Sequence, residues 1–151
     1  MDEFDRRLLR MMQDSNLVPA HQVATAIGLS ASAVQRRIHR LRETGVIAAD
    51  VSVVEPRSVG RPMTFVVEVE MERERGDLID AFRRQMRASP EIQQCYYVTG
   101  EADFILIVTA ADMADYERTT RHLFFDNPNV RRFRTSVVMD RVKVGLTVPV
   151  A

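Results

Sequence analysis

The sequence predicts an α+β chain of 151 residues, with three short helices first and a βαββαβ unit second. Three observations predict it. Apolar residues up to Ile47 recur at helical spacing and are interrupted by Pro19, Gly28 and Gly45. From Thr64 the spacing switches to the period of two that a half-buried strand requires. Strand-like and helix-like segments then follow in an order that repeats a βαβ pattern, the weak pseudo-repeat of a ferredoxin-like sandwich.

The first helix is DEFDRRLLRMMQD, in which Phe4, Leu8, Leu9 and Met12 share one face. Asp14, Ser15 and Asn16 end it as turn formers. Pro19 suits the first turn of a second helix, AHQVATAI, which Gly28 closes. Ser30 then stands where a hydroxyl caps the free amides of a third helix, which ends before Gly45. On a wheel, Val34, Ile38 and Leu41 face the first two helices. Ser32, Gln35, Arg36, His39 and Arg40 lie opposite, with Arg37 and Arg42 on the flanks. Arg36 to Arg42 hold four arginines and a histidine with no acidic residue among them. Three short helices with a tight turn before the last describe a helix-turn-helix, whose second helix enters the major groove of DNA. Arginine can bridge guanine bidentately, glutamine can do so to adenine, and flanking arginines hold phosphates. The candidate DNA-contacting set is Ser30, Ser32, Gln35, Arg36, Arg37, His39, Arg40 and Arg42.

The next stretch, VIAADVSVVEP, reads as an extended segment, and RSVGRPM with Gly60 and Pro62 reads as a hinge. The expected division is therefore a helical domain over 1–50, a linker over 51–62 and a βαββαβ domain over 63–151. In the last, TFVVEVEME, IQQCYYVTG, DFILIVTA and RFRTSVVMDRVKV are strands. GDLIDAFRRQMRAS and MADYERTTRHLFF are helices, with stripes at Leu78, Ile79, Phe82 and Met86 and at Met113, Tyr116, Thr120, Leu123 and Phe124. These helices cover one sheet face and leave the other for a partner.

Composition bounds the function. At 46% hydrophobic and 28% charged residues the chain can bury a core, and its formal charge is zero, so an anionic partner must be met by a local patch. No apolar run approaches the roughly 20 residues of a membrane span, and MDEFDRR lacks the apolar core of a secretory signal. A cytoplasmic location without membrane contact is expected. The single cysteine, Cys95, excludes an internal disulfide and is expected as a buried small hydrophobe. No Cys/His cluster has metal-ligand spacing, and no nucleophilic triad or phosphate loop is present, so neither a metal nor a catalytic centre is expected. His21 and His122 read as structural or surface residues.

The sequence resembles the Lrp/AsnC family of transcription regulators through IGLSASAVQRRIHRLRETGVI, the wing-like stretch that follows, and VTGEADFILIV within a βαββαβ unit. The turn Gly100, Glu101, Ala102, Asp103 is similar to the family's glycine-acidic-X-Asp hairpin, with Glu101 in place of the usual Asp. The resemblance implies a winged helix-turn-helix domain and a RAM-type domain. It further implies a double-stranded DNA partner, a small-molecule effector (an amino acid) in place of any cofactor, and self-association to dimers and a tetramer of dimers. Its effectors bind between dimers around this hairpin. The residues are compatible with that: amides near Gly100 could hold a carboxylate and Asp103 an ammonium. The hairpin is equally readable as a plain strand connection. Val98, Thr99, Gly100, Glu101 and Asp103 are the candidate effector residues, and the family's fold adds Thr135 and Ser136. An alternative with the same architecture is a sirohaem-decarboxylase-like enzyme, for which only His122 is available in the second half, and another is a regulator without effector.

Overall fold

A computed structural model describes all residues, 1–151. The chain divides into two compact units, one of Met1–Val53 with Lys143–Ala151 and the other of Val54–Val142.

In the helical unit, α1 is Glu3–Asp14, α2 is Ala20–Ile27 and α3 is Ala31–Glu43. Asp2 and Asp5 cap α1 reciprocally: the Asp5 amide donates to the Asp2 carboxylate at 2.9 Å and the Asp2 amide to that of Asp5 at 3.0 Å. Gly28 ends α2 in the left-handed region at φ +77°, which a side chain adopts only at a cost, and Leu29 follows by donating back to the Ala24 carbonyl. Two residues later Ser30 Oγ accepts from the Ala33 amide and starts α3. The core is Leu8, Leu9, Val23, Ala24, Ile27, Val34 and Leu41. Ile38 lies half-buried at its margin, and Phe4 remains partly exposed under the guanidinium of Arg37, 5.5 Å from its ring centre.

The wing-like stretch forms no strand. Residues 48–55 have no regular structure, and Pro56–Val59 turn as a short 3₁₀ helix. Extension alone does not make a strand when no neighbour supplies a ladder.

The second unit holds β1 (Met63–Met71), α4 (Gly76–Ala88), β2 (Ile92–Tyr97), β3 (Phe104–Ala110), α5 (Met113–Thr120) and β4 (Val130–Val137). Its sheet runs β2-β3-β1-β4, every pair antiparallel. Phe65, Val67, Val69 and Met71 of β1 are buried beneath the helices with Phe104, Leu106 and Val108 of β3, as the period of two predicts. α4 contributes Ile79, Phe82 and Met86, and Tyr116 stacks on Phe65 at 3.9 Å. The predicted second helix is interrupted: after Thr120 it widens into a π turn, Arg121–Phe125, which brings Leu123 and Phe124 both into the core and leaves Phe125 exposed.

Two further expectations give way. Cys95 is exposed, because β2 is an edge strand with nothing beyond it. The last strand stops at Val137, although VKVGLTVPV alternates like a strand. Gln13 on α1 holds this tail instead, accepting from the Val148 amide at 2.8 Å and donating to its carbonyl at 3.0 Å, and Arg10 donates to the Val150 carbonyl. Val150 packs on the helical core, so residues 143–151 group with the first unit and not with the βαββαβ unit.

Candidate nucleic-acid interface and effector cleft

The outward arc of α3 carries Ser32, Gln35, Arg36 and His39, all exposed. The segment's charge, locally unopposed in sequence, is opposed in space. Arg37 binds both oxygens of Asp2, at 2.9 and 2.7 Å, and one of Asp5 at 2.8 Å. Arg40 reaches the other oxygen of Asp5 at 2.6 Å, and Arg42 binds Asp50 at 2.8 Å. His39 lies 3.1 Å from Glu43, and Arg36 alone of the four arginines has no carboxylate partner. Ser30 is engaged as the cap.

Asp5 is 1% exposed. Burial pushes its carboxyl up, but the Asp2 amide, the hydrogen bond of Arg37 and the charge of Arg40 outweigh this and hold it below the ordinary value. The Asp5 amide, and then Arg37, likewise depress Asp2. The Arg37 guanidinium is raised, chiefly by Asp5 and then by Asp2. Both aspartates precede α3 by some thirty residues, and only packing of α1 on α3 brings them to it.

On the uncovered sheet face, Glu68, Glu70, Val98, Thr99, Glu101, Ala102, Ile105 and Arg134 line a cleft of about 190 Å³. This is smaller than a drug-sized pocket and suited to a small solute. The hairpin that walls it is closed by the Val98 amide donating to the Asp103 carbonyl at 2.9 Å, with Gly100 at φ +130°. Arg134 pairs with Glu68 at 3.2 Å and Arg132 with Glu70 at 2.7 Å, and the Arg132 hydrogen bond depresses the Glu70 carboxyl.

Val98, Thr99 and Glu101 line the cleft as expected, whereas four expected effector residues, Gly100, Asp103, Thr135 and Ser136, lie outside the lining. The Asp103 carboxylate accepts from the Met71 amide at 2.6 Å, fastening the hairpin to the end of β1, and does not line the cleft. Thr135, opposite Val67, points to the helix-covered face, where its hydroxyl lies 2.6 Å from that of Tyr116. Ser136, opposite Val66, is on the open face but outside the lining. The structure adds Glu68, Glu70 and Arg134, which sequence reading missed. Their signal was the polar half of the strand alternation, with register deciding which positions meet.

A helix-turn-helix with an exposed polar recognition face, joined to a sheet unit with a small charged cleft, defines a two-domain DNA-binding regulator with a ligand-binding module. Comparison with known proteins agrees: residues 1–42 match the AsnC-type helix-turn-helix domain and residues 64–148 the Lrp/AsnC ligand binding domain. The chain is 50% identical to the HTH-type transcriptional regulator y4tD of Sinorhizobium fredii, over 99% of this chain and 89% of that protein. It is 30% identical to the leucine-responsive regulatory protein of Haemophilus influenzae, over 95% and 86% of the two. A transcriptional regulator from Neisseria meningitidis, solved as its L-methionine complex, shares the fold at a TM-score of 0.92 and 23% identity, over 99% and 96% of the chains. This chain belongs to the Lrp/AsnC family. It is a DNA-binding transcriptional regulator with a ligand-binding domain and not an enzyme, so the decarboxylase reading falls away. No helix is long and apolar enough to cross a membrane.

Proposed function

We propose that the protein acts in the cytoplasm as a dimer or a tetramer of dimers that reads double-stranded DNA with Ser32, Gln35, Arg36 and His39 of α3. A free amino acid in the hairpin cleft sets its assembly or its grip on DNA. The observation that carries the reading is Arg36, exposed and free of carboxylate partners on the helix that a helix-turn-helix inserts in the major groove. Arg37, Arg40 and Arg42, each held by an aspartate, are set outside the contact set. In the cleft, Arg134 and the amides around Gly100 suit a carboxylate, and Glu101 suits an ammonium. Amino-acid ligation in the Neisseria relative and the leucine response named for the Haemophilus one support that effector class. Half-buried Val66, Ile105 and Ile107 on the open sheet face support a second copy there.

Selection of bound duplexes from a random library followed by footprinting tests the first part. Arg36→Ala should weaken the selected site by roughly 1–3 kcal/mol and relax its sequence preference, and undiminished specific protection would refute it. A thermal-shift screen of the twenty amino acids tests the second, because a ligand of the native state raises apparent stability. Arg134→Ala should abolish the shift. No shift with any amino acid, or a shift unchanged in Arg134→Ala, would remove the cleft from the reading.

A further inference from the structure

Two guanidiniums of α3 converge on a single buried carboxylate. Asp5 takes Arg37 on one oxygen and Arg40 on the other, the latter at 2.6 Å, and also accepts from the Asp2 amide. A buried carboxylate left without such partners is strongly unfavourable, so these contacts are not readily given up. Arg37 is additionally clasped by Asp2 and is mostly covered. The Arg40 side chain, by contrast, is 52% exposed. It stands at the surface of the helix with its charge already answered from within the protein.

The geometry points to Asp5 as a positioning residue for DNA binding, one that withholds Arg40 from the phosphate backbone and so limits sequence-independent affinity. This rests on the reading of α3 as the DNA-facing helix. Binding to arbitrary duplex is driven by the number of phosphates that cations neutralise, each releasing counterions, whereas discrimination comes from contacts to base edges. An arginine satisfied by an internal carboxylate adds nothing to counterion release. A phosphate that takes the bonded N–H of Arg40 must strip a hydrogen bond from Asp5, and one that approaches its other N–H groups meets a guanidinium whose charge Asp5 already balances. The protein therefore presents a helix rich in arginine that engages random DNA as if it held fewer of them, which widens the gap between operator and competitor.

The test is the salt dependence of affinity for a short random-sequence duplex, measured by fluorescence anisotropy on the full chain. Asp5→Asn should bind this duplex more tightly and steepen log K against log salt by about 0.9, the increment of one phosphate contact. Arg40→Gln alone should keep the parent slope, and so should the double variant. That erasure separates release of Arg40 from simple loss of a negative charge, which would persist in the double variant. An unchanged slope in Asp5→Asn, or a steepening that survives Arg40→Gln, overturns the proposal. So does a slope shallower by about 0.9 in Arg40→Gln alone, a measurement that stands even where Asp5→Asn does not fold. Arg36→Ala on the selected operator separates the two levels. If it retains specific protection, the reading of α3 fails and the role of Asp5 with it. If it loses protection while the slopes fail to move, the role of Asp5 alone is wrong.

Discussion

Leu8→Ala should strongly destabilise the DNA-reading unit while leaving the ligand-binding unit intact. Leu8 is fully buried among Leu9, Val23, Ala24, Ile27, Val34 and Leu41, a core that shares no residue with the one beneath the sheet. Removing a buried leucine down to alanine costs about 2–5 kcal/mol, through lost transfer energy and the cavity left behind. A unit of about 60 residues is stable by only about 3–9 kcal/mol at the usual 0.05–0.15 kcal/mol per residue. The substitution therefore takes a large part of the total. With about 4–8 °C lost per kcal/mol in a domain of this size, its Tm should fall by roughly 8–40 °C. The chain supplies its own reporter: it has no tryptophan, and its three tyrosines, Tyr96, Tyr97 and Tyr116, all lie in the sheet unit. Near-ultraviolet tyrosine dichroism should keep its parent melting temperature while the far-ultraviolet helix signal loses amplitude early. Loss of both signals together at the lowered temperature would refute the claim that the two cores stand separately.

Three other outcomes follow from single contacts. Ser30→Ala should cost the helical unit about 1 kcal/mol in urea denaturation by removing the cap of α3, and no change in midpoint would mean that solvent replaces it. Asp103→Ala strips the Met71 amide of its acceptor and should destabilise the sheet unit by about 1–3 kcal/mol. The proposed amino-acid binding in the cleft should nonetheless stay detectable, since Asp103 does not line it, and complete loss of binding with the fold intact would return Asp103 to the proposed effector site. Asp2 and Asp5 are depressed below their ordinary value of 3.8. Their stabilisation is therefore complete above that value and lost as pH falls through the lower folded-state values. The urea midpoint of the helical unit should drop from pH 5 to pH 3, and the drop should shrink in Asp5→Asn; an equal drop in both would assign acid lability elsewhere.

Much of the molecule was legible in the sequence because periodicity reports which side of an element is apolar, and the turn residues are constrained by backbone geometry alone. The spacing of Leu8, Val34 and Leu41, the left-handed Gly28, the Ser30 cap and the alternation of Phe65, Val67 and Val69 each follow from local rules, and together they determined the two units and their order. The end of β4 and the place of the tail were not determined that way, since VKVGLTVPV alternates like a strand and only the side chain of Gln13, 135 residues from Val148, decides what its backbone bonds to. The same holds for the candidate sites. The sequence placed Arg36, Arg37 and Arg40 on one helix, and tertiary packing decided which of them are free, because Asp2 and Asp5 reach them across α1. It placed Asp103 and Thr135 near the hairpin and the last strand. Register then turned Thr135 to Tyr116 and tied Asp103 to Met71, while Glu68, Glu70 and Arg134 came together from two strands to line the cleft. Charge and hydrogen bonding act through space over a few ångströms, so contacts between elements distant in the chain leave no periodic trace in it.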